Sequence, residues 1–190
     1  SLKKLQTDYI DLLLVHQPFG DYYGTYRAME EAYRAGKVRA IGVSNFSPNR
    51  FIDLQYFVEI KPAINQIETH VFYQQKEAKK YLEKYNCQIE SWGPFAEGKN
   101  DFFNTPLLKE IGEKYGKSVA QVALRFLLQS NVVVIPKSVR KERMQENFDI
   151  FDFELTEDEM KSIEGLDQGS TLFHNHQEPE TAERFLSFLS

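Results

Sequence analysis

The sequence predicts an α/β protein whose parallel sheet forms part of a strand-helix barrel. Three observations carry that expectation. Five strand-like runs, at residues 9–16, 38–44, 62–66, 88–92 and 132–137, alternate with helix-like segments, the pattern of parallel βαβ units. Each run ends in a polar or aromatic group that could face one ligand, and active-site groups of parallel barrels sit at the C-terminal ends of strands. Five such units are a partial barrel, since a complete one has eight.

The elements follow in order. Residues 2–8 resemble the tail of a helix leading into a strand and the chain begins at Ser1 rather than Met, so an upstream portion is expected. The near-continuous apolar run 9–15 reads as a strand buried on both faces. A helix over 24–34 ends at Gly36, a suitable C′ residue. The second strand leads through Ser44 and Asn45 to Ser47, an expected N-cap with Pro48 at the first helical position. That helix runs to about residue 58. A third strand (62–67), a charged surface helix (76–85) and a fourth strand (88–92) precede a polar loop at 93–104. Thr105 with Pro106 starts a helix ending near Gly116, and Ser118 starts an apolar one through Gln129. The β-branched run from Val132 reads as the last strand, and Thr156 with Glu159 forms a capping box for a final helix. Nothing in this order separates two domains. The barrel part is assigned to 1–167, and 168–190 is read as a substrate-loop tail.

Composition sets wider bounds. The 42% hydrophobic and 27% charged content is that of a soluble globular protein, and 190 residues can bury a sizeable core. A net charge of −5 with interspersed signs gives no footprint for nucleic acid or an anionic membrane. No apolar stretch is long enough to span a bilayer, and no signal-peptide pattern opens the chain, so a cytoplasmic location is expected. The single cysteine, Cys87, excludes an internal disulfide and reads as a small buried hydrophobe. His174 and His176 flank Asn175 with Glu178 and Glu180 nearby. That spacing could serve a metal, although a substrate-loop role suits an irregular tail better.

Five short strings, in order and each at a strand end, give the chain a specific resemblance. They are Leu14-Val15-His16 with Pro18, Gly42-Val43-Ser44-Asn45-Phe46, Asn65-Gln66-Ile67-Glu68, Ser91-Trp92-Gly93-Pro94, and Ile135-Pro136-Lys137-Ser138 with Arg143, Glu146 and Asn147. Together they resemble the aldo-keto reductase family over nearly the whole chain. Tryptophan in the fourth string is most similar to the bacterial branch that includes diketogluconate reductases.

The resemblance implies a (β/α)8 TIM barrel, here N-terminally truncated to strands 4 to 8. It also implies NADPH-dependent reduction of an aldehyde or ketone by hydride transfer, without a metal and without a Gly-x-Gly-x-x-Gly string. It assigns His16 to the substrate carbonyl oxygen, Ser44, Asn45 and Gln66 to the nicotinamide carboxamide, and Trp92 to stacking on the nicotinamide ring. Lys137, Ser138 and Arg143 fall to the 2′-phosphate, with Glu146 and Asn147 on the adenine. Charge supports the phosphate assignment independently. A helix start offers free N–H groups and arginine a planar fork, both suited to phosphate oxygens. The expected partner is a small carbonyl substrate, and the expected state of the parent protein is a monomer or weak dimer.

These residues also have ordinary readings: His16 is a packed structural residue, Ser44 and Asn45 begin a turn, Gln66 satisfies backbone groups, Trp92 is core, and Lys137 and Arg143 are solvated charges. The family's proton donor is a tyrosine activated by a lysine that is paired with an aspartate. All three lie before the strand that ends in His16, and no residue of this chain matches them. The chain is therefore expected to carry much of the cofactor platform with little activity. Its alternatives are a catalytically silent nucleotide-binding or regulatory module, or a non-functional fragment.

Overall fold

The computed structural model describes residues 2–189; Ser1 and Ser190, the ends of the first and last expected segments, lie outside the described residues. The strands β1 (Ile10–Val15), β2 (Val38–Ser44), β3 (Ile64–Glu68), β4 (Gln88–Trp92) and β5 (Val133–Val134) follow sequence order in one sheet. The pairs β1–β2, β2–β3 and β4–β5 are parallel, as the alternating pattern predicts. The chain divides into two compact units, a division the sequence does not announce. One holds residues up to Ile67, 76–89 and from His174 on; the other holds 68–75 and 90–173.

In the first unit, α1 (Leu2–Leu5) precedes β1, and β1 pairs with β2 in a register that sets Leu14 opposite Gly42 and Val15 opposite Val43. Helix α2 (Tyr22–Arg34) starts where Asp21 accepts a hydrogen bond from the Gly24 N–H at 2.8 Å, and it stops before Gly36, whose φ of +69° is cheap only for glycine. Its inner face buries Tyr26 and Met29. The buried Glu30 carboxylate is compensated by the backbone N–H groups of Glu59 and Ile60, at 2.8 and 2.7 Å. Helix α3 (Pro48–Phe57) contributes Phe51 and Leu54, and α4 (Lys76–Lys84) contributes Ala78 and Leu82. Ile41 and Val43 of β2 are buried as well, each full burial stabilising by roughly 1.5–3 kcal/mol.

Cys87 is buried beside them, and burial pushes its thiol pKa up to about 12. In the tail helix α9 (Pro179–Leu186), the Phe185 ring stacks on His176 at 5.5 Å, and Phe19 stacks on both. Among the described residues no group of three or more His, Cys, Asp or Glu is placed to hold a metal ion.

Two local expectations need correction here. Ser47 and Pro48 do open α3, but the Ser47 hydroxyl donates to Asn49 Oδ1 at 2.7 Å and makes no cap bond. The run 9–15 is not buried on both faces. Only Val15 of β1 is buried, because β1 has a strand neighbour on one side only among the described residues, and Asp11 stays exposed in an ion pair with Arg39.

In the second unit, α5 (Pro106–Tyr115) ends at Gly116 in the left-handed conformation that glycine permits. Ser118 and Gln121 then form a reciprocal capping box at the start of α6 (Val119–Gln129). Apart from Arg125, Leu128 and Gln129 every residue of α6 is buried, so this helix is the unit's centre. Thr156 and Glu159 form the box expected for α8 (Glu157–Glu164). Burial pushes the Glu159 carboxyl up, but the Thr156 N–H, the Tyr115 hydroxyl and the Lys114 ammonium outweigh it and hold the pKa below the usual value.

The last strand is shorter than the sequence suggests: β5 covers Val133–Val134 rather than 132–137. Pro136 has no N–H to donate, and residues 135–140 run irregularly to α7 (Lys141–Phe148). The segment Ala96–Asn104 folds as short 3-10 turns, with positive φ at Ala96, Glu97, Gly98, Asn100 and Asp101. The Phe102 ring pins it against Phe72, Phe95 and Phe103.

Candidate functional site

Each unit carries its own group of the residues singled out in the sequence. In the first unit the ladder explains why strand ends meet. Val15 lies opposite Val43, and Ser44 lies opposite Gln66, so the residues next in line share one end of the sheet. Side chains then tie those ends together. The Ser44 hydroxyl, fully buried, donates to the Gln66 carbonyl at 2.8 Å. Asn45 adopts the left-handed conformation, φ +62°, which turns its amide back over the strand ends. Its Nδ2 donates to the His16 carbonyl at 3.2 Å and reaches Ser44 Oγ at 3.2 Å, while its backbone N–H donates to the Gln66 carbonyl at 2.9 Å. The His16 ring is exposed and has no hydrogen-bond partner among the described residues. His16, Ser44, Asn45 and Gln66 therefore form one connected group, with an imidazole N–H left to donate to a ligand.

The second unit holds the remainder. Lys137, Ser138, Arg143, Glu146 and Asn147 all line a single cavity of about 590 Å³, a size in the range of small-molecule sites. Lys137 and Arg143 are exposed and make no ion pair among the described residues. Ser138 Oγ accepts from the Arg140 N–H at 3.1 Å, which stands in for a side-chain cap at the start of α7, and Arg143 follows in that helix's first turn. Anionic groups are favoured at such a place by the free N–H groups and the two unneutralised cations.

The same cavity brings in residues that the sequence reading missed. The start of α6, Ser118 to Ala120, lines it, as do Lys109 and Lys117. Asp152 and then Asp149 hold the Lys117 ammonium by hydrogen bonds and raise its pKa, so its charge is already committed. Glu97 and Glu113 also line the cavity and moderate its charge. Ser118 was legible as a helix start, and that signal could have marked a second set of N–H groups for an anion.

Trp92, at the end of β4, is half-buried, and its ring meets the edge of Phe173 at 5.2 Å and 68°. Beside Phe173 lies a buried polar cluster without a role in the sequence reading. The Glu68 carboxylate faces His70 Nε2 at 3.0 Å and accepts from the Leu172 N–H at 2.8 Å and from the Thr171 hydroxyl. His70 is fully buried, and its Nδ1 has no partner among the described residues.

Known proteins similar to this chain agree with one another. The model of the aldo/keto reductase family matches residues 1–168. A glyoxal reductase of Bacillus subtilis is 45% identical over 179 residues, 94% of this chain and 64% of that protein. The methylglyoxal reductase DkgA of Escherichia coli is 42% identical over 90% of this chain and 64% of its own length. Among solved structures, MGS-M4, an aldo-keto reductase from a deep-sea metagenome library, superposes with a TM-score of 0.88 at 40% identity, covering 93% of this chain and 66% of that one. A Gox0644 mutant in complex with NADPH gives 0.87 at 35% identity, over 92% and 65% of the two chains. The chain thus spans 64% of the length of these two curated relatives. On the extent of the family match and the level of these identities, the chain belongs to the aldo/keto reductase family.

Proposed function

We propose that the protein to which these residues belong reduces small aldehydes and ketones, reactive dicarbonyls among them, with NADPH as hydride donor. The observation that carries this reading is the cavity in which Lys137 and Arg143, both without an ion-pair partner among the described residues, stand beside Ser138 at the start of α7. That donor set fits a phosphate monoester. It distinguishes NADPH, which has a 2′-phosphate, from NADH, which has a hydroxyl there. Glu146 and Asn147 in the same cavity offer acceptors and a donor to the adenine amine and ring nitrogens. The names of the similar reductases support the substrate class.

When bound, the nicotinamide supplies hydride to the carbonyl carbon. The chain's own residues bind and orient. Asn45 and Gln66 hold the carboxamide and so fix which ring face is presented. Ser44, whose hydroxyl is spent on Gln66 and Asn45, acts largely by keeping those two in place. Trp92 offers a flat apolar surface to the ring. The exposed His16 donates its ring N–H to the carbonyl oxygen as negative charge develops there. No tyrosine of the chain matches the family's proton donor, so we assign none. The 190 residues taken alone are expected to bind NADPH without turnover.

Two measurements test this. The chain should bind NADPH, read by quenching of its one tryptophan, and show no loss of cofactor absorbance with glyoxal or methylglyoxal. A longer protein containing it should consume NADPH with those substrates. Absence of turnover in the longer protein would overturn the enzyme reading. Turnover by the 190-residue chain, abolished by His16→Ala, would place the proton donor inside this sequence.

A further inference from the structure

We propose that Glu68 is a positioning residue: its buried carboxylate latches segment 171–173 in place and, through Phe173, fixes the Trp92 indole. The functional value of that latch rests on the reading of Trp92 as the nicotinamide platform, but the latch itself does not.

Glu68 closes β3 and is only 4% exposed, a position where an ionised carboxylate is costly unless its lone pairs are filled. Three donors face it: His70 Nε2 and the Leu172 N–H, both on Oε1, and the Thr171 hydroxyl on Oε2. Two of the three come from a segment more than 100 residues away in sequence. Releasing that segment would leave a buried carboxylate facing His70 alone, so burial at β3 is coupled to the placement of 171–172. His70 cannot substitute further, since its ring is fully buried and wedged between Phe72 and Phe173.

Phe173 inherits the constraint. Its N–H donates to Thr171 Oγ1 at 3.0 Å, so the hydroxyl that reaches Glu68 also sets the next residue's backbone. From the other side Lys99 donates to the Leu172 carbonyl at 2.9 Å and lies 4.4 Å from the centre of the Phe173 ring. The ring so held meets Trp92 at 5.2 Å, edge to face. The chain from Glu68 to Trp92 thus runs through hydrogen bonds and one ring contact, with no step left to a solvated side chain.

Trp92 is the chain's single tryptophan, so its emission reports the latch directly. Glu68→Ala and Phe173→Ala should each raise the collisional quenching constant of Trp92 by acrylamide at least twofold, and the double variant should exceed neither. Glu68→Gln retains an acceptor oxygen for the Leu172 N–H and should recover most of the protection. If Glu68→Ala loses its cooperative thermal transition, Thr171→Val replaces it, since valine keeps the volume and deletes only the hydroxyl. Quenching constants unchanged in Glu68→Ala, or in Thr171→Val where that serves, against a raised constant in Phe173→Ala, would overturn the latch. So would additive effects in the double variant. Quenching by NADPH is a separate reading on the same residue. If NADPH leaves wild-type Trp92 unquenched while Glu68→Ala exposes it, the latch stands and the nicotinamide assignment falls.

Discussion

Arg143→Ala should weaken NADPH binding by roughly 10- to 150-fold and leave NADH nearly unchanged. The magnitude comes from what the side chain does and does not touch. Arg143 lies in the first turn of α7, is exposed, lines the cavity with Lys137 and Ser138, and makes no ion pair among the described residues. Deleting it therefore removes no internal contact of consequence, and the folding free energy should move by less than about 0.5 kcal/mol. A hydrogen bond to a charged group contributes about 1.5–3 kcal/mol, and each ~1.36 kcal/mol is a factor of ten. Exposure to solvent favours the lower half of that range. Isothermal titration of wild type and variant with NADPH and NADH supplies the four affinities, and adenosine 2′,5′-bisphosphate against 5′-ADP repeats the contrast with fragments that lack the nicotinamide. The two cofactors losing affinity equally would refute the phosphate assignment. A drop in melting temperature of several degrees in the unliganded variant would show that Arg143 is structural.

Four further outcomes are expected. In a protein that turns over, His16→Ala should lower kcat by tenfold or more and shift NADPH affinity less than twofold, because a bond that strengthens with developing charge acts on the transition state; lost binding with normal kcat would reverse the role. Gly42→Ala would set a Cβ 2.5 Å from the Ile64 carbonyl oxygen, forcing β2 from β3 at about 1–3 kcal/mol, visible as a lower urea midpoint; an unmoved midpoint would show that the strands yield freely. Cys87, its thiol pushed up to about 12 by burial, should resist a thiol-specific disulfide reagent at pH 8 until the chain is unfolded, and rapid labelling of folded protein would contradict its burial. Hydrogen bonding from Lys117 holds the Asp152 carboxyl below its ordinary value. Ionised Asp152 therefore adds stability above the ordinary carboxylate range, and that contribution fades as pH falls through it and through the lowered value. Asp152→Asn should flatten this acid limb in urea unfolding between pH 6 and 3, and an identical limb would dismiss the pair.

Much of this was legible because the signals are local. Ser118 states a helix start and Thr156 with Glu159 a capping box within a few residues each, and both form. Strand bounds read from apolar runs hold for β2 and β4. They fail at β5, where β-branched propensity spoke for a strand and Pro136 withheld the N–H that would continue it. The Ser47 cap failed for a similar reason, since Asn49 competes for the hydroxyl from within the helix start. What the sequence could not disclose is pairing at long range. Glu68 and Thr171 are ordinary in their own neighbourhoods, and only the fold makes them partners. Lys109 and Lys117 likewise look like solvated charges until the cavity collects them with Arg143.

The first site group depends on register as much as on identity. With Leu14 opposite Gly42 and Val15 opposite Val43, the residue that follows β1 is His16, and Asn45 can donate to its carbonyl. A slip of one residue would exchange the faces of every side chain on β1 and carry that carbonyl about one strand residue, ~3.3 Å, away from the Asn45 amide. Gly42 helps forbid the slip. A Cβ at its position would lie 2.5 Å from the Ile64 carbonyl oxygen and 2.9 Å from the Leu14 side chain. Any other residue of β2 brought to that position by a shift of β2 would carry the Cβ and meet the Ile64 backbone, so the glycine resists the slip when it is β2 that moves. The glycine two residues before Ser44 thus permits a strand approach at which Ser44 reaches the Gln66 carbonyl, and a backbone constraint becomes the placement of the ligand-facing amide.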